Sequence, residues 1–248
     1  QAALEAGKVI QKYSGKNLKR NIKFGDASDF ATIADTEAEK IIISLLNRNF
    51  PDHNIVTEEQ ENIEKGSEYT WVIDPLDGTF SYFRGIPQFC VSIGLMRKGM
   101  PVLGVIYHVS DNDLIWAQVE QGTYLNNKKI QVSKLTNLRE SAVYLDFGHY
   151  AKRMSKFELY IKPLLSKVGT IYSLGSASLG LSWVGKGILD AYVIQAWLWD
   201  FVAGVVIIRE AGGKITDFEG KEPDWTKERL NIVASNGLLH DQILEALR

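Results

Sequence analysis

The chain changes rhythm near residue 132, and few folds accommodate both rhythms. From 54 to 131 the runs NIVTEE, TWVIDP, QFCVSIGLMR, PVLGVIYHV, DLIWAQVE and GTYLN are short, β-branched or aromatic, and separated by Gly, Asp and Asn. MRKGMPVLG and VSDNDLIW read as hairpin connections, so this stretch is expected to be a largely antiparallel sheet. After about 133, ESAVYLDF reads as a strand. Helices (KFELYIKPLLSKV, SASLGLSWVGKG, WDFVAGVVIIREAGG, LLHDQILEALR) and strands (GTIYS, LDAYVIQ, GKITDF, LNIVASN) then alternate. The expected class is mixed α+β and α/β. Residues 1–132 form an N-terminal α+β half that holds most of the acidic candidates. Residues 133–248 are expected to form an α/β half that contains Asp200. No long linker separates them, so the halves should pack into one unit.

Upstream, Leu4, Val9 and Ile10 suggest one apolar helix face, and NLKRNIKFGDASD (17–29) reads as a mobile loop. A second helix is expected from Thr36 to Arg48, with Ala38, Ile41, Ile42, Leu45 and Leu46 at helical spacing and Pro51 beyond its end.

Bulk properties exclude several classes. The net charge of −2 offers no basic surplus for a nucleic-acid polymer. The single cysteine, Cys90, cannot form an internal disulfide, lies in an apolar run, and fits a reducing compartment. The first residues lack a basic stretch followed by an apolar one. No uncharged apolar run reaches the roughly 18 residues a membrane span needs, because AWLWDFVAGVVII contains Asp200. A cytoplasmic protein without a membrane partner is expected.

Within WVIDPLDGTFSYF, Asp74 and Asp77 stand three residues apart between a strand and a glycine. Pro, Asp and Gly are also ordinary turn residues. Yet two carboxylates this close repel unless protonated or neutralised by a cation. Pro75 fixes one φ, Gly78 permits close backbone approach, and both aspartates can converge on a hard, oxygen-seeking cation. Gly78 and Thr79 open a short helix whose N–H groups suit an anion. One strand upstream comes TEE (57–59); if the two strands pair, Glu58 or Glu59 lands beside Asp74. Asp200 reads as an N-cap or first-turn residue of its helix, and Asp35 as an N-cap. GLSWVGKG (180–187) has P-loop spacing but lacks the following Ser or Thr and reads as helix. The four histidines show no metal spacing, and no G-x-S-x-G elbow exists.

Together these stretches resemble a family. WVIDPLDGTFSYF and WDFVAGVVIIREAGG are similar to the two signatures of the inositol monophosphatase family, Mg²⁺-dependent and lithium-sensitive phosphatases. DFATIADTEAEK followed by FPDHNIVTEE resembles its N-terminal block. The resemblance implies an αβαβα layered sandwich and a phosphate monoester hydrolase with two or three Mg²⁺ ions, a small-molecule substrate and a homodimer. It implies Glu58, Asp74 and the Leu76 carbonyl around one metal, Asp74, Asp77 and Asp200 around a second, and Glu58 at a weaker third. Thr79 and Asp35 would activate water, with Glu58 contributing to catalysis through the metals. Gly78 and Thr79 would hold phosphate, with Asp77 and Asp200 beside the substrate. Gly175, Ser176 and Ala177 would meet its non-phosphate part, and Lys23 matches a lysine of the early loop. Three positions depart from the pattern. Val193 stands where a Glu contacts an inositol hydroxyl, Ser81-Tyr82 replaces Asn-Phe, and Val202 replaces a small residue. Inositol monophosphate is the first expected substrate. Fructose 1,6-bisphosphate, histidinol phosphate, 3′-phosphoadenosine 5′-phosphate, or an inactive regulatory relative are the alternatives.

Overall fold

The computed structural model describes residues 1–248. It begins with α1 (Ala2–Tyr13), whose buried stripe is Ala3, Ala6, Gly7 and Ile10. Leu4 is exposed, contrary to the expected face. The 3–4 spacing of small residues seats the helix against α2 (Ile33–Asn49), and a leucine would hold it away.

The stretch expected to be a loop is instead a hairpin, β1 (Asn21–Lys23) with β2 (Asp26–Ala31). Phe24 and Gly25 take φ of +49° and +72°, the two left-handed residues of a two-residue hairpin turn. The polar composition had hidden it. The second helix starts three residues before Thr36. Thr32 is the N-cap and accepts from the Ala34 N–H. Asp35, at the third helical position, accepts from the Thr32 N–H at 2.8 Å and hydroxyl at 2.6 Å. Asp35 therefore closes a capping box and is not the cap itself. Ile41 is exposed; the buried face runs Ala34, Asp35, Ala38, Glu39, Ile42 and Leu46.

The first sheet has the order β3 (Asn54–Thr57), β4 (Tyr69–Asp77), β5 (Cys90–Arg97), β6 (Met100–His108), β7 (Asp113–Gln118), β8 (Gly122–Leu125), β9 (Lys128–Ile130). It is antiparallel apart from β3 and β4, which run parallel with Thr57 opposite Ile73. Cys90 is fully buried in it. The second sheet is ordered β11 (Thr170–Tyr172), β10 (Ala142–Leu145), β12 (Ala191–Trp197), β14 (Arg229–Ser235), β13 (Lys214–Thr216). The long helix expected over KFELYIKPLLSKV is broken. After α4 (Arg153–Lys156) comes a π-wound turn, Phe157–Ile161, and then α5 (Lys162–Leu164). Pro163 has no N–H to donate, so regular winding fails around it.

Between the sheets lie α6 (Ala177–Gly185) and α7 (Leu198–Glu210). The latter touches β4 to β8 on one side and β12 to β14 on the other. α1 and α2 cover the outer face of the first sheet. α5 and α8 (His240–Leu247) cover that of the second. The layers read αβαβα, as expected. The P-loop-like stretch is the C-terminal part of α6 and its cap, and the capping Lys186 pairs with Asp113 at 2.6 Å.

One close contact sets the position of α7. Gly94 and Gly104 face each other across β5 and β6. A Cβ on Gly104 would lie 2.1 Å from the Ala203 carbonyl oxygen, and one on Gly94 2.4 Å from a Val202 methyl. The bare backbone makes a trough for the helix, and Val202, larger than the family pattern suggests, fills the space over Gly94.

Candidate metal centre

The buried strand β4 ends in a bulge between Asp74 and Asp77. The bulge breaks the alternation of faces, so both aspartates are delivered to the same end of the sheet. Asp74 Oδ1 accepts from the Leu76 N–H at 3.0 Å. Gly78 follows with φ +92°, as the N-cap of the short helix α3 (Thr79–Phe83). A side chain there would strike the Gln88 carbonyl oxygen at 2.5 Å, so glycine is required twice over. The turn brings the Thr79 hydroxyl 2.7 Å from Asp35 Oδ1 and 2.9 Å from the Leu76 carbonyl oxygen, with one proton to donate between them.

Asp200 arrives from the other half of the chain. It stands at the third position of α7, where its Oδ2 accepts from the Trp197 N–H at 2.7 Å. One carboxylate oxygen each from Asp74, Asp77 and Asp200 lie within 4.8 Å of one another. The start of α6 holds Asp77. Ser176 donates its hydroxyl at 3.0 Å, and the Ala177 and Ser178 N–H groups donate at 3.2 and 2.5 Å. Ser176 and Ala177 thus grip a carboxylate, and Gly175 precedes them with φ +73°.

Glu58 lies just past β3, level with Asp74, because the strands run parallel in the register Thr57–Ile73. Its carboxyl adjoins that of Asp74 from outside the aspartate trio. Of the two glutamates it is the one facing the cluster. Lys23, carried on the hairpin, bridges Glu58 Oε1 at 2.7 Å and Glu59 Oε1 at 2.6 Å.

The electrostatics are those of a site with too much negative charge. Burial, then Glu58 and the other aspartates, pushes Asp74 well above the carboxylate range. Burial followed by Asp77 and Glu58 does the same to Asp200. Burial raises Asp77 to about 6 against the bonds from Ser178 and Ser176. It raises Asp35 to about 6 against those from Thr32 and Thr79. Glu59 reaches about 8, from burial and then the Glu58 charge. Burial would lower Lys23, but Glu58 and Glu59 outweigh it and hold the ammonium charged. Carboxyls raised in the folded state stabilise it at low pH, and that contribution is lost as pH climbs through their folded pKa. His240, held near 4 by burial, opposes this trend only below its ordinary 6.5. In chelator the melting temperature should therefore fall from pH 6.5 to 8. A flat or rising thermal-melt series over that window would contradict the assignment.

Not every expected residue faces the cluster. Val193 is fully buried on the outer side of β12, with Val143, Leu145, Val233 and Ile243. Ser81 turns to the Leu174 carbonyl and Tyr82 donates to that of Ile10. Lys156 and Glu39 were not anticipated. Burial lowers the pKa of Lys156, while the charges of Asp146 and Asp200 work against that and the charge of Arg229 adds to it. Arg229 stacks over Trp197 with its guanidinium 3.8 Å from the ring centre. The sequence carried no spacing signal for this pair. Glu39 does have one: it follows Asp35 by one helical turn.

A family model described as the inositol monophosphatase family matches residues 1–248. The fructose-1,6-bisphosphatase/inositol-1-monophosphatase of Aquifex aeolicus is 36% identical, covering 100% of this chain and 92% of the relative. The inositol-1-monophosphatase of Caulobacter vibrioides is 34% identical, covering 100% and 98%. The crystal structure of the extragenic suppressor protein suhB from Bartonella henselae superposes with a TM-score of 0.93 at 33% identity, covering 100% and 96%.

Proposed function

The chain belongs to the inositol monophosphatase family, and from that premise we propose that its acidic cluster binds two or three Mg²⁺ ions and hydrolyses a small phosphate monoester. The observation that carries this is the meeting of Asp74, Asp77 and Asp200, buried and drawn from both halves, beside the Thr79–Asp35 pair. The donor set fits a hard dication: every side-chain ligand is a carboxylate, and their mutual repulsion calls for positive charge. Glu58, Asp74 and the Leu76 carbonyl would hold one ion, Asp74, Asp77 and Asp200 a second, and Glu58 a weaker third. When bound, the metal lowers the pKa of a coordinated water and offsets charge on the phosphoryl oxygens.

The chain's own residues do the rest. Asp35, when ionised, takes the Thr79 proton in its hydrogen bond, so the Thr79 oxygen presents lone pairs to a water and aims it. The Gly78 and Thr79 N–H groups hold the phosphate. Ser176 and Ala177 fix Asp77, and with Gly175 they border the substrate's remaining part. Attack by water in line with the departing alkoxide needs no covalent enzyme intermediate. A cytoplasmic homodimer belongs to the same proposal. No helix is long and apolar enough to cross a membrane.

A second reading concerns the substrate. Lys156, buried and within reach of the Asp200 charge, would favour an ester bearing a further anionic group. Valine at position 193, buried among apolar residues, leaves no side chain there to meet an inositol hydroxyl. Phosphate release from inositol 1-phosphate and fructose 1,6-bisphosphate, with Mg²⁺, with chelator and with millimolar Li⁺, tests both. Turnover should require Mg²⁺ and fall with Li⁺, and a higher kcat/KM on the bisphosphate would select the second reading. No metal-dependent turnover on any small ester would leave only a binding role.

A further inference from the structure

Glu39 is fully buried in α2, one turn after Asp35 and on the same face. Its Oε1 accepts from the Glu59 N–H at 3.0 Å and from the Thr57 hydroxyl. These two residues flank Glu58, so a single carboxylate oxygen grips the chain on either side of the proposed ligand. Its other oxygen, Oε2, is buried without a hydrogen-bond partner. A buried carboxylate with an unsatisfied oxygen is costly, and a residue needed only to fill that volume would be apolar. No regular element continues from β3 past Thr57 to hold Glu58.

We infer that Glu39 is a positioning residue: it clamps Thr57 and Glu59 so that Glu58 is set beside Asp74 before any cation arrives. This rests on the metal-dependent reading given above. One rigid helix face then aligns two parts of the site, Asp35 orienting Thr79 and Glu39 orienting Glu58. Glu39 touches neither substrate nor the proposed water, so its loss should be read first in metal affinity, where losing a partner that orients a ligand typically costs about 10–100-fold.

The test is calorimetric titration of the full chain with Mg²⁺ alone, for the wild type, Glu39→Ala, Glu39→Gln and Thr57→Val, alongside turnover as a function of Mg²⁺. Glu39→Ala and Thr57→Val should each weaken Mg²⁺ binding by about tenfold, the lower end of what losing a ligand's supporting partner costs. Turnover at saturating Mg²⁺ should recover. Glu39→Gln should bind close to wild type, since its amide oxygen can accept both bonds. If circular dichroism finds Glu39→Ala unfolded, Thr57→Val decides, because it keeps the shape and removes only the hydroxyl. Wild-type affinity in folded Glu39→Ala or in Thr57→Val would overturn the inference. So would a Glu39→Gln variant as weak as Glu39→Ala, since the charge and not the placement would then matter. A wild type that neither binds Mg²⁺ nor turns over would sink the phosphatase reading itself. A wild type that does both, with the variants unmoved, sinks only the clamp.

Discussion

Asp200→Asn should abolish most turnover and at the same time make the chelated protein more heat-stable. Asparagine keeps the oxygen that accepts from the Trp197 N–H, so the first turn of α7 is preserved. It removes a buried charge that Asp77 and Glu58 repel. Losing a mere supporting partner costs about 10–100-fold in such sites, and losing the ligand itself should exceed about a hundredfold. Thermal melts at pH 7.5 in chelator should move upward relative to wild type, because the repulsion is gone. The two readouts have opposite signs, which general damage to the fold cannot produce. Near-normal turnover would remove Asp200 from the site, and a lower melting temperature would contradict the account of its burial.

Gly104→Ala should be among the most damaging single-methyl changes in the protein. The new Cβ meets the Ala203 carbonyl at 2.1 Å, and both partners are backbone, so strand and helix must part. Overpacking typically costs about 1–3 kcal/mol, and the upper end applies where no side chain can swing away. For a domain of this size that is roughly 6–12 °C in melting temperature at 3 kcal/mol. The displaced helix carries Asp200, so turnover should fall as well. Gly94→Ala is the contrasting case, because its obstacle is the Val202 side chain. Adding Val202→Ala should restore much of the loss there, a coupling measurable as a double-mutant cycle. If Gly104→Ala melts like wild type, the trough does not set the position of α7.

Much of this is legible in the sequence. Asp74 and Asp77 stand out because a proline and a glycine hold two carboxylates close together, whereas Asp200 alone reads as a helix-start residue and joins them only through the family resemblance. The change of rhythm at mid-chain gives the mixed α+β and α/β class, and the family resemblance adds the layer order. The hairpin at Phe24–Gly25 was not legible, since its strands are short and polar and pair mainly with each other. The first turn of α2 has a sequence signal of its own, the Thr32-x-x-Asp35 spacing of a capping box, and reading Asp35 as the cap itself starts the helix three residues late. Glu39 looked like any helical glutamate. Its spacing one turn after Asp35 puts it on the same helix face, but its burial against Thr57 and Glu59 at the end of β3 is a long-range contact that no local pattern records. Val193 is a departure from the family pattern that the sequence shows, but the pattern does not record that its strand turns it outward.

The pairing of β3 with β4 runs against the habit of its sheet, and this direction decides where charge gathers. Two strands travelling the same way release their chains at the same rim, so the glutamates after one and the aspartates ending the other emerge side by side. Reversed, either strand would send its acids to the opposite edge, and no side chain could bridge the width of the sheet. An electrical pole on one rim of this molecule is thus a property of its topology, and charge-conserving changes elsewhere on the surface should leave it standing.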